Sequence, residues 1–593
     1  MKGLSAFLLL LLCFQRAKTD ETPASAASET AETAGRPNII IILADDMGFD
    51  DVSFRGGREF LTPNIDALAF HGRILDRLYA PAMCTPSRGA LLSGRYPIHT
   101  GNIYCLVKVG VHQSIYATGT QHFVISNEEP WGLTLNATLM PEIFQQAGYS
   151  TNLIGKWHLG FSRPEYTPTR RGFDYHYGYW GAYIDYYQRR SKMPARNYSL
   201  GYDFRRNMEL ECRDRGVYVT DLLTNEAERV IREREGQEEP LFLVLSHLAT
   251  HTANEDDPLQ APEEEIRKFA YIKDPNRRKY AAMVSKLDQS VGRIVSALNS
   301  TGQLENSIVI FYSDNGAPSV GMFANTGSNW PLRGQKNTPW EGGVRVAGAI
   351  WSAQLQARGN IFTQPIYVAD WLPSLAHAAG IELPHTLELD GIDLWPQLAG
   401  PVDAPHVPRE ILHILDDEWR VTSFQMGHWK YINGTTSAGQ YDQVLTYREL
   451  DDLDPRESRY VVTVRNSPTS RALARHDIRR MTQQRVMTLR RSAAVRCGDL
   501  QRGCNPLVEE CVYDIWDDPC EKNNLVYSTR HSEVLAALRQ RVQLLREGAS
   551  APGNREGIRR SDPTLHKCTW DTFEVEKPAL APVECNYHGS PCE

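Results

Sequence analysis

Near its start the chain reads Asn38-Ile39-Ile40-Ile41-Ile42-Leu43-Ala44-Asp45-Asp46. The first seven residues are mostly apolar and β-branched, and two aspartates follow them directly. A short apolar run without alternation is typical of a central strand that is covered on both faces of a sheet. The stretch therefore predicts a buried strand with acidic residues at its carboxyl end.

Further strands and helices alternate along the chain. Short runs at 151–155, 241–245 and 307–313 predict three more buried strands. Helices are predicted at 62–68 and 139–147. The clearest helix has apolar residues at steps of four and three, namely Tyr280, Val284, Leu287, Val291, Ile294 and Leu298. This alternation predicts the α/β class, with a large, mostly parallel sheet between helices.

The length of 593 residues predicts two domains. A Pro-rich stretch at 396–408 indicates a boundary between a large domain over 36–400 and a smaller, Cys-rich α+β domain over 401–593. In the smaller domain, residues 424–432 alternate like an antiparallel strand, and 534–545 predict a helix. Residues 441–496 are Arg-rich with weak periodicity, which indicates an insertion or a mobile loop.

The amino terminus predicts entry into the secretory pathway, with the lysosome or the extracellular space as destination. Residues 1–18 have the short apolar run of a signal peptide, and 19–35 predict a disordered leader. No stretch is long and apolar enough to predict a transmembrane segment. Secretory entry makes four glycosylation sites relevant, which are Asn136, Asn197, Asn299 and Asn433.

The cysteine count and the net charge add two constraints. Seven of the eleven cysteines lie between 497 and 592, which predicts a disulfide-stapled region whose connectivity stays open. With Cys13 in the signal peptide and Cys84 set aside, nine cysteines remain, so one thiol is left over. The net charge of -8 argues against a nucleic-acid partner.

Polar clusters follow two of the predicted strands. Asp45 and Asp46 come after the first strand, and Asp314 and Asn315 come after the strand at 307–313. Ligand sites in open α/β sheets lie at the carboxyl ends of strands, so the two clusters are expected to converge. Their carboxylate and amide oxygens suit Ca²⁺ or Mg²⁺. Taken singly, each pair is also explained by a helix cap or a tight turn.

A second candidate site is the stretch Cys84-Thr85-Pro86-Ser87-Arg88. Pro86 suits the first turn of a helix, which would place Cys84 at a helix amino terminus, where backbone N–H groups favour an anion. Arg88 lies one turn further on and can reach back toward Cys84. The alternative is that Cys84 forms half of a disulfide, as in many secreted proteins.

Basic side chains come from three other places. Lys156 and His158 lie on one side of an extended segment, because side chains alternate along a strand. Lys336 lies in a Gly-flanked loop. Two histidines, His247 and His251, follow the strand at 241–245, and His251 is the stronger candidate because His247 can still be part of the strand.

Together these motifs resemble the sulfatase family, and within it the arylsulfatase B group. The resemblance covers nearly the whole chain after the leader. Besides the stretches quoted above, it is carried by Gly155-Lys156-Trp157-His158-Leu159-Gly160, Arg170-Arg171-Gly172-Phe173-Asp174, Tyr312-Ser313-Asp314-Asn315-Gly316, Asn329-Trp330-Pro331-Leu332-Arg333-Gly334-Gln335-Lys336 and Trp340-Glu341-Gly342-Gly343-Val344-Arg345.

The resemblance implies an alkaline-phosphatase-like sulfatase fold, one Ca²⁺ per chain, and a formylglycine made from Cys84 by the formylglycine-generating enzyme. The implied calcium ligands are Asp45, Asp46, Asp314, Asn315 and an oxygen of the modified Cys84. Arg88 and Lys156 match residues that hold the formylglycine, and His158 matches one that hydrogen-bonds its diol. Sulfate-binding positions match Lys156, His251 and Lys336. Asp314 is a candidate base for the diol.

The function implied is that of a sulfuric ester hydrolase, an arylsulfatase acting on a sulfated glycan or a small aryl sulfate. The expected substrate is the N-acetylgalactosamine 4-sulfate unit of dermatan or chondroitin sulfate. Two alternatives stay open. One is a phospho-ester hydrolase of the same fold, which would use an unmodified Ser or Thr with two Zn²⁺. The other is a non-catalytic secreted glycan-binding protein.

Overall fold

The computed structural model describes residues 35–100, 119–192, 200–444, 453–476 and 481–574, with Val583 and Cys585. The predicted signal peptide 1–18 and leader residues 19–34 lie outside the described residues. So do the glycosylation site Asn197, the segments 445–452 and 477–480 of the predicted insertion, and Cys13, Cys105 and Cys592. Of the other glycosylation sites, Asn136 and Asn433 are exposed and Asn299 is half-buried.

Strands and helices alternate over most of the chain. The strands are β1 (Asn38–Ala44), β2 (Arg73–Tyr79), β3 (Ser150–Lys156), β4 (Tyr175–Tyr179), β5 (Arg190–Ser191), β6 (Gly201–Tyr202), β7 (Arg205–Arg206), β8 (Glu209–Leu210), β9 (Leu241–Ser246), β10 (Ser307–Ser313), β11 (Arg345–Ser352), β12 (Asn360–Phe362), β13 (Ile366–Tyr367), β14 (Glu410–Asp416), β15 (Val421–Met426), β16 (Trp429–Asn433) and β17 (Cys511–Asp514). The α-helices are α1 (Pro63–His71), α2 (Cys84–Ser93), α3 (Met140–Gln146), α4 (Val219–Glu233), α5 (Glu263–Lys268), α6 (Pro275–Ser300), α7 (Glu341–Val344), α8 (Trp371–Ala378), α9 (Trp395–Ala399), α10 (Tyr460–Arg465), α11 (Pro468–Leu473), α12 (Gln483–Ala493) and α13 (Ser532–Glu547).

Eleven of the described strands form one large sheet, in the order β12-β2-β11-β10-β1-β9-β3-β4-β7-β8, with β13 paired to β2. Its centre, from β10 through β1, β9 and β3 to β4, is parallel. The flanking strands β11 and β7 are antiparallel to their central neighbours. The predicted α/β class with a large, mostly parallel sheet is therefore confirmed.

The core of the large sheet contains the apolar residues whose spacing in the sequence predicted burial. Ile39, Ile40, Ile41 and Ile42 of β1 all have an exposed fraction of 0%, as expected for a strand covered on both faces. The six apolar residues predicted to share one face of a helix are all buried in α6. Burial of a large aliphatic side chain contributes roughly 1.5–3 kcal/mol, so this centre is a major source of stability.

A second, smaller sheet has four antiparallel strands in the order β14-β15-β16-β17. The single strand predicted at 424–432 is wrong: the stretch is a hairpin of β15 and β16, and Gly427 takes a φ of 63° in the turn. The apolar positions shift by one residue across Gly427 and His428, from Phe424 and Met426 to Trp429 and Tyr431, and the turn lies at this shift. Helix α13 contains the predicted segment 534–545.

Disulfides staple the region after 496, as predicted. The structure pairs Cys497 with Cys520, Cys504 with Cys511, and Cys568 with Cys585. Cys212 is disulfide-bonded as well. Among the described helices, none combines the length and apolarity needed to cross a membrane.

The described parts of 441–496 contain α10, α11 and α12. These helices lie against α1 and the segment before it. The Tyr460 hydroxyl donates to Asp66, the Thr469 hydroxyl donates to Asn64, and the Arg490 guanidinium donates to the Ser53 carbonyl. The described part of 441–496 therefore packs against α1, in the helical layer beside the large sheet.

Candidate active site

The predicted site residues meet at the carboxyl ends of the central strands. Asp45 and Asp46 follow β1, and Asp314 and Asn315 follow its neighbour β10. Lys156 ends β3, and His251 lies five residues beyond β9. Because β10, β1, β9 and β3 are parallel neighbours, their ends lie side by side at one edge of the sheet.

The acidic cluster is tight and fully buried. The backbone N–H of Asp46 donates to Asp314 Oδ1 at 3.2 Å, and Asn315 Nδ2 donates to Asp46 Oδ1 at 2.6 Å. One carboxylate oxygen from each of Asp45, Asp46 and Asp314 lies within 4.8 Å of the others. The two clusters that the sequence placed after separate strands are thus brought together.

These oxygens fit a hard cation. Asp45 Oδ1 and Asn315 Oδ1 are buried and accept no hydrogen bond within the described residues. Leaving a buried acceptor unpaired costs about 1–3 kcal/mol, so two such atoms among the site residues point to a missing partner. Carboxylate and amide oxygens in this number are ligands that Ca²⁺ accepts.

Each carboxylate also faces a basic side chain. Lys156 Nζ lies 2.6 Å from Asp45 Oδ2, Arg88 Nη2 lies 2.8 Å from Asp314 Oδ2, and Lys336 Nζ lies 2.7 Å from Asp46 Oδ2. Three negative and three positive charges therefore balance. A divalent cation held by the same oxygens would leave the site positively charged, which suits an anionic substrate.

Cys84 is the first residue of α2 and lies beside this cluster. It is buried and forms no disulfide in the described part of the chain, which contradicts the alternative that it is half of one. Lys336 Nζ contacts its Sγ at 3.2 Å. Burial raises the pKa of the Cys84 thiol to about 11, although Lys156 and Lys336 oppose the rise. The unmodified side chain is therefore a neutral thiol at physiological pH.

Arg88 connects the helix that carries Cys84 with the ends of the strands. Its Nη1 donates to the Lys156 carbonyl at 3.3 Å and to the Ser246 hydroxyl, while its Nη2 holds Asp314. The guanidinium thus fixes α2 to β3, β9 and β10 with its planar set of donors. One turn of helix separates Arg88 from Cys84, as the sequence predicted.

The two neighbouring acids differ in their proton affinity. Burial opposes ionisation of Asp45, but Lys156, His251 and Arg88 outweigh it and lower the pKa of Asp45. Burial and the Asp45 charge raise the pKa of Asp314, with Arg88 acting against the rise. Asp314 is therefore the more basic carboxylate of this pair.

The histidines have distinct surroundings. His251 Nδ1 lies 2.7 Å from the Thr252 carbonyl, and its Nε2 lies 3.5 Å from Asp46 Oδ2. His158 is buried, and neither ring nitrogen has a hydrogen-bond partner within the described residues. Burial lowers the pKa of both rings. The pKa is lowered most for His158, because the positive charges of Lys156 and Arg88 lower it further. His247 instead contacts Ser290 of α6 at 2.9 Å, away from the cluster.

Three residues near the site are not marked by any sequence motif. Tyr179 ends β4 opposite Lys156, and its buried hydroxyl has no hydrogen-bond partner among the described residues. Tyr183 stacks on His251 with ring centroids 5.6 Å apart, and Ser246 holds Arg88. The register of β4 could have pointed to Tyr179, but tyrosine and serine at these positions match no chemical pattern on their own.

Comparison with known proteins agrees with this geometry. A protein-family model described as Sulfatase matches residues 37–381. The chain is 36% identical over 417 residues to Arylsulfatase J of Mus musculus, a match that covers 70% of this chain and 63% of that protein. It is 32% identical over 368 residues to N-acetylgalactosamine-6-sulfatase of Mus musculus, which covers 61% of this chain and 66% of that protein.

The matched region spans just under two thirds of the length of these two relatives. The fold is similar to that in the crystal structure of Ps i-CgsB, with a TM-score of 0.64 and 24% sequence identity. That similarity covers 87% of this chain and 94% of the other.

Proposed function

The chain belongs to the sulfatase family, and we propose that it hydrolyses sulfate esters on N-acetylgalactosamine units of dermatan or chondroitin sulfate. One observation carries the proposal. Cys84, free and buried at the amino end of α2, lies among Lys336, Lys156 and Arg88 and beside a cluster of hard oxygen ligands. A same-fold phospho-ester hydrolase with a Ser or Thr nucleophile is less consistent with a cysteine at this position.

Cys84 is proposed as the precursor of a formylglycine. A neutral thiol is a poor nucleophile, since the thiolate is the reactive form. A hydrated formylglycine supplies two hydroxyl groups, one to attack the sulfur atom and one to expel sulfate afterwards. Because Cys84 is only 1% exposed in the folded chain, the formylglycine-generating enzyme would have to act before folding is complete.

A calcium ion is the proposed cofactor. Asp45, Asp46, Asp314 and Asn315 would hold it, together with an oxygen of the modified Cys84. When bound, the ion supplies positive charge that offsets charge developing on the sulfonyl oxygens. The unpaired buried oxygens of Asp45 and Asn315 support this assignment.

The remaining side chains are proposed for two roles, and Lys156 contributes to both. Arg88, which donates to the Lys156 carbonyl, and Lys156 would hold the modified Cys84 side chain in place, and His158 would hydrogen-bond it with a free ring nitrogen. Lys336, Lys156 and His251 would bind the sulfate group, with Asp314 as base for the attacking hydroxyl. Lys336, or His251 in the protonated form that its burial disfavours, would donate a proton to the leaving alkoxide.

The burial of these residues indicates where the sugar would lie. The side chains of Lys336 and His251 are 9% and 5% exposed, whereas those of Asp45 and Asp46 are fully buried. Phe323 lies 5.9 Å from His251 and 5.7 Å from Tyr183 between ring centroids, and Met322 beside it is exposed. The leaving sugar is therefore expected to face His251, against the apolar side formed by Tyr183 and Phe323.

The sulfated position on the sugar is proposed from resemblance. The arylsulfatase B resemblance favours N-acetylgalactosamine 4-sulfate, while one relative is named for 6-sulfate. The sugar itself is common to both. Disulfides in the described chain support a secretory route, with the lysosome or the extracellular space as destination.

The test measures sulfate release by the purified chain after co-expression with the formylglycine-generating enzyme. An aryl sulfate and matched 4-sulfated and 6-sulfated N-acetylgalactosamine oligosaccharides serve as substrates, and Cys84→Ala serves as the inactive control. We expect release from the aryl sulfate and faster release from the 4-sulfated oligosaccharide. Faster release from the 6-sulfated one would correct the position. No release from any of them would overturn the function.

A further inference from the structure

We propose that the smaller sheet and its disulfide-closed segment position Lys336, with Arg333, Glu341 and Lys430 as the positioning residues. The inference rests on the proposed function, in which Lys336 binds sulfate. Lys336 lies between β10 and β11, and we call residues 333–341, which end at the first residue of α7, the Lys336 loop. Several described residues between 423 and 521 contact this loop at both ends and at its middle.

Arg333 anchors the first end of the Lys336 loop. Its guanidinium lies over the Trp340 ring, 3.5 Å from the centroid, so it also closes the loop on itself. The same group donates to the Cys504 carbonyl at 3.0 Å and to the Asp442 carbonyl. Cys504 is held by its disulfide to Cys511, the first residue of β17. The Cys504 backbone, whose carbonyl accepts the hydrogen bond from Arg333, is therefore itself constrained by a disulfide.

Glu341 anchors the other end through a buried ion pair. Lys430 Nζ of β16 lies 2.9 Å from Glu341 Oε1 and 2.8 Å from Glu521 Oε1, and all three side chains are fully buried. Glu521 Oε2 accepts the backbone N–H of Glu341 at 2.8 Å. Glu521 follows Cys520, whose disulfide to Cys497 restrains it. Buried charges of this kind are costly to separate, so they fix the relative position of their backbones.

Backbone contacts hold the middle of the loop. The Ser423 hydroxyl donates to the Pro339 carbonyl at 3.1 Å, and the Thr436 hydroxyl donates to the Asn337 carbonyl. The N–H of Gly334 donates to the Gln443 carbonyl at 2.9 Å. The residues on both sides of Lys336 are thus tied to β15 and to the segment after β16.

The position of Lys336 sets two short contacts in the candidate site. Its Nζ lies 2.7 Å from Asp46 Oδ2 and 3.2 Å from Cys84 Sγ. A displacement of about 1 Å in such a site can reduce the rate by about 100-fold. Loosening the anchors should therefore lower activity while leaving the large sheet folded.

The test compares Arg333→Met with Arg409→Met. Arg409 is a matched control, because it also joins the smaller sheet to the larger domain, through Asp370 at 2.7 Å, but it does not contact the Lys336 loop. Two readouts are measured on folded protein: the rate at which an acetylating reagent modifies Lys336, followed by peptide mass spectrometry, and kcat/KM on an aryl sulfate.

In Arg333→Met we expect Lys336 to be acetylated at least about fivefold faster than in the wild type and kcat/KM to fall about 10- to 100-fold. Arg409→Met should keep wild-type values for both after matching for thermal stability. If Arg333→Met does not fold, the charge-balanced variant Lys430→Met/Glu521→Gln takes its place with the same expectation.

Equal Lys336 acetylation and equal kcat/KM in test and control variants would overturn the inference. An inactive wild type would instead overturn the proposed function. The difference in the rate of Lys336 acetylation between Arg333→Met and Arg409→Met would still decide whether the smaller sheet positions Lys336.

Discussion

At Cys84, three basic side chains and the amino end of α2 surround one buried sulfur atom. Lys336 contacts the sulfur directly, and Arg88 fixes the helix that carries it. The basic side chains and the helix amino end favour negative charge at this position, but for the thiol itself burial outweighs them and raises its pKa to about 11. The same environment would favour the charge that develops when a hydroxyl at this position attacks a sulfate ester.

Replacing Cys84 with serine separates attack from release. The serine side chain in the variant Cys84→Ser has one hydroxyl group, so it can accept a sulfuryl group but has no second hydroxyl to expel it. We expect loss of turnover and a peptide heavier by about 80 Da after incubation with an aryl sulfate. The measurement is peptide mass spectrometry with Cys84→Ala as control. Turnover at the wild-type rate in Cys84→Ser would contradict the two-hydroxyl mechanism.

At the residue scale, the sequence predicted which residues meet in the candidate site better than it predicted the contacts between them. Asp45, Asp46, Asp314 and Asn315 were predicted to converge because each pair follows a buried strand, and they do converge. The roles of these residues stay predictions. Tyr179 and Tyr183 were missed because their places depend on strand register and loop path, which a single sequence does not reveal.

At the scale of elements, strands with uniform burial were the easiest to predict. The bounds of β1 and β10 match their predicted runs residue for residue, since an apolar run between polar residues fixes both ends. Helix α6 extends beyond its predicted apolar face, because its ends are polar. The hairpin β15–β16 was predicted as one strand, although its alternation shifts by one residue at Gly427 and His428.

The ends of β1 and β10 should bind calcium as a unit. We expect Ca²⁺ to raise the Tm of metal-stripped protein, corresponding to about 2.7 kcal/mol when the free ion is at 100 times its Kd. Asn315→Ala removes one oxygen ligand without changing the charge and should lose most of this shift. The measurement is differential scanning fluorimetry with and without Ca²⁺.

Asn329→Ala is the matched control for that experiment. Asn329 is equally buried, but its side chain bonds the Ala317 backbone rather than the acidic cluster. It should keep the full calcium shift even if its own Tm is lower. Equal calcium shifts in Asn315→Ala and Asn329→Ala would argue against the ligand assignment.

At the scale of the whole molecule, the smaller sheet meets the larger one through buried charge. Lys430 faces both Glu341 and Glu521. Two carboxylates thus share one ammonium group. This arrangement was not visible in the sequence, because Glu341 and Lys430 lie far apart in the chain and no motif links them.

The charge at this interface should make stability depend on pH. Burial raises the pKa of Glu521 to about 7 from an ordinary value of 4.5, with Lys430 acting against the rise. Between these two values the folded chain binds more protons at this site than the unfolded chain. The contribution of Glu521 to the free energy of unfolding therefore falls as pH rises from about 4.5 to about 7.

The variant Glu521→Gln removes that contribution, while buried histidines, which act in the opposite direction, stay unchanged. We expect the Tm of Glu521→Gln relative to wild type to be higher at pH 7.5 than at pH 5. Thermal unfolding of both proteins at the two pH values measures this difference. A Tm difference that is the same at both pH values would contradict the raised pKa.

The most direct test of the central claim is the mass of the peptide that contains Cys84, taken from secreted protein that releases sulfate. Conversion of the thiol to formylglycine lowers that mass by about 18 Da. The account predicts the lighter peptide in the active protein. A peptide at the mass of the unmodified thiol, or one linked through a disulfide at Cys84, in protein that still releases sulfate would contradict it.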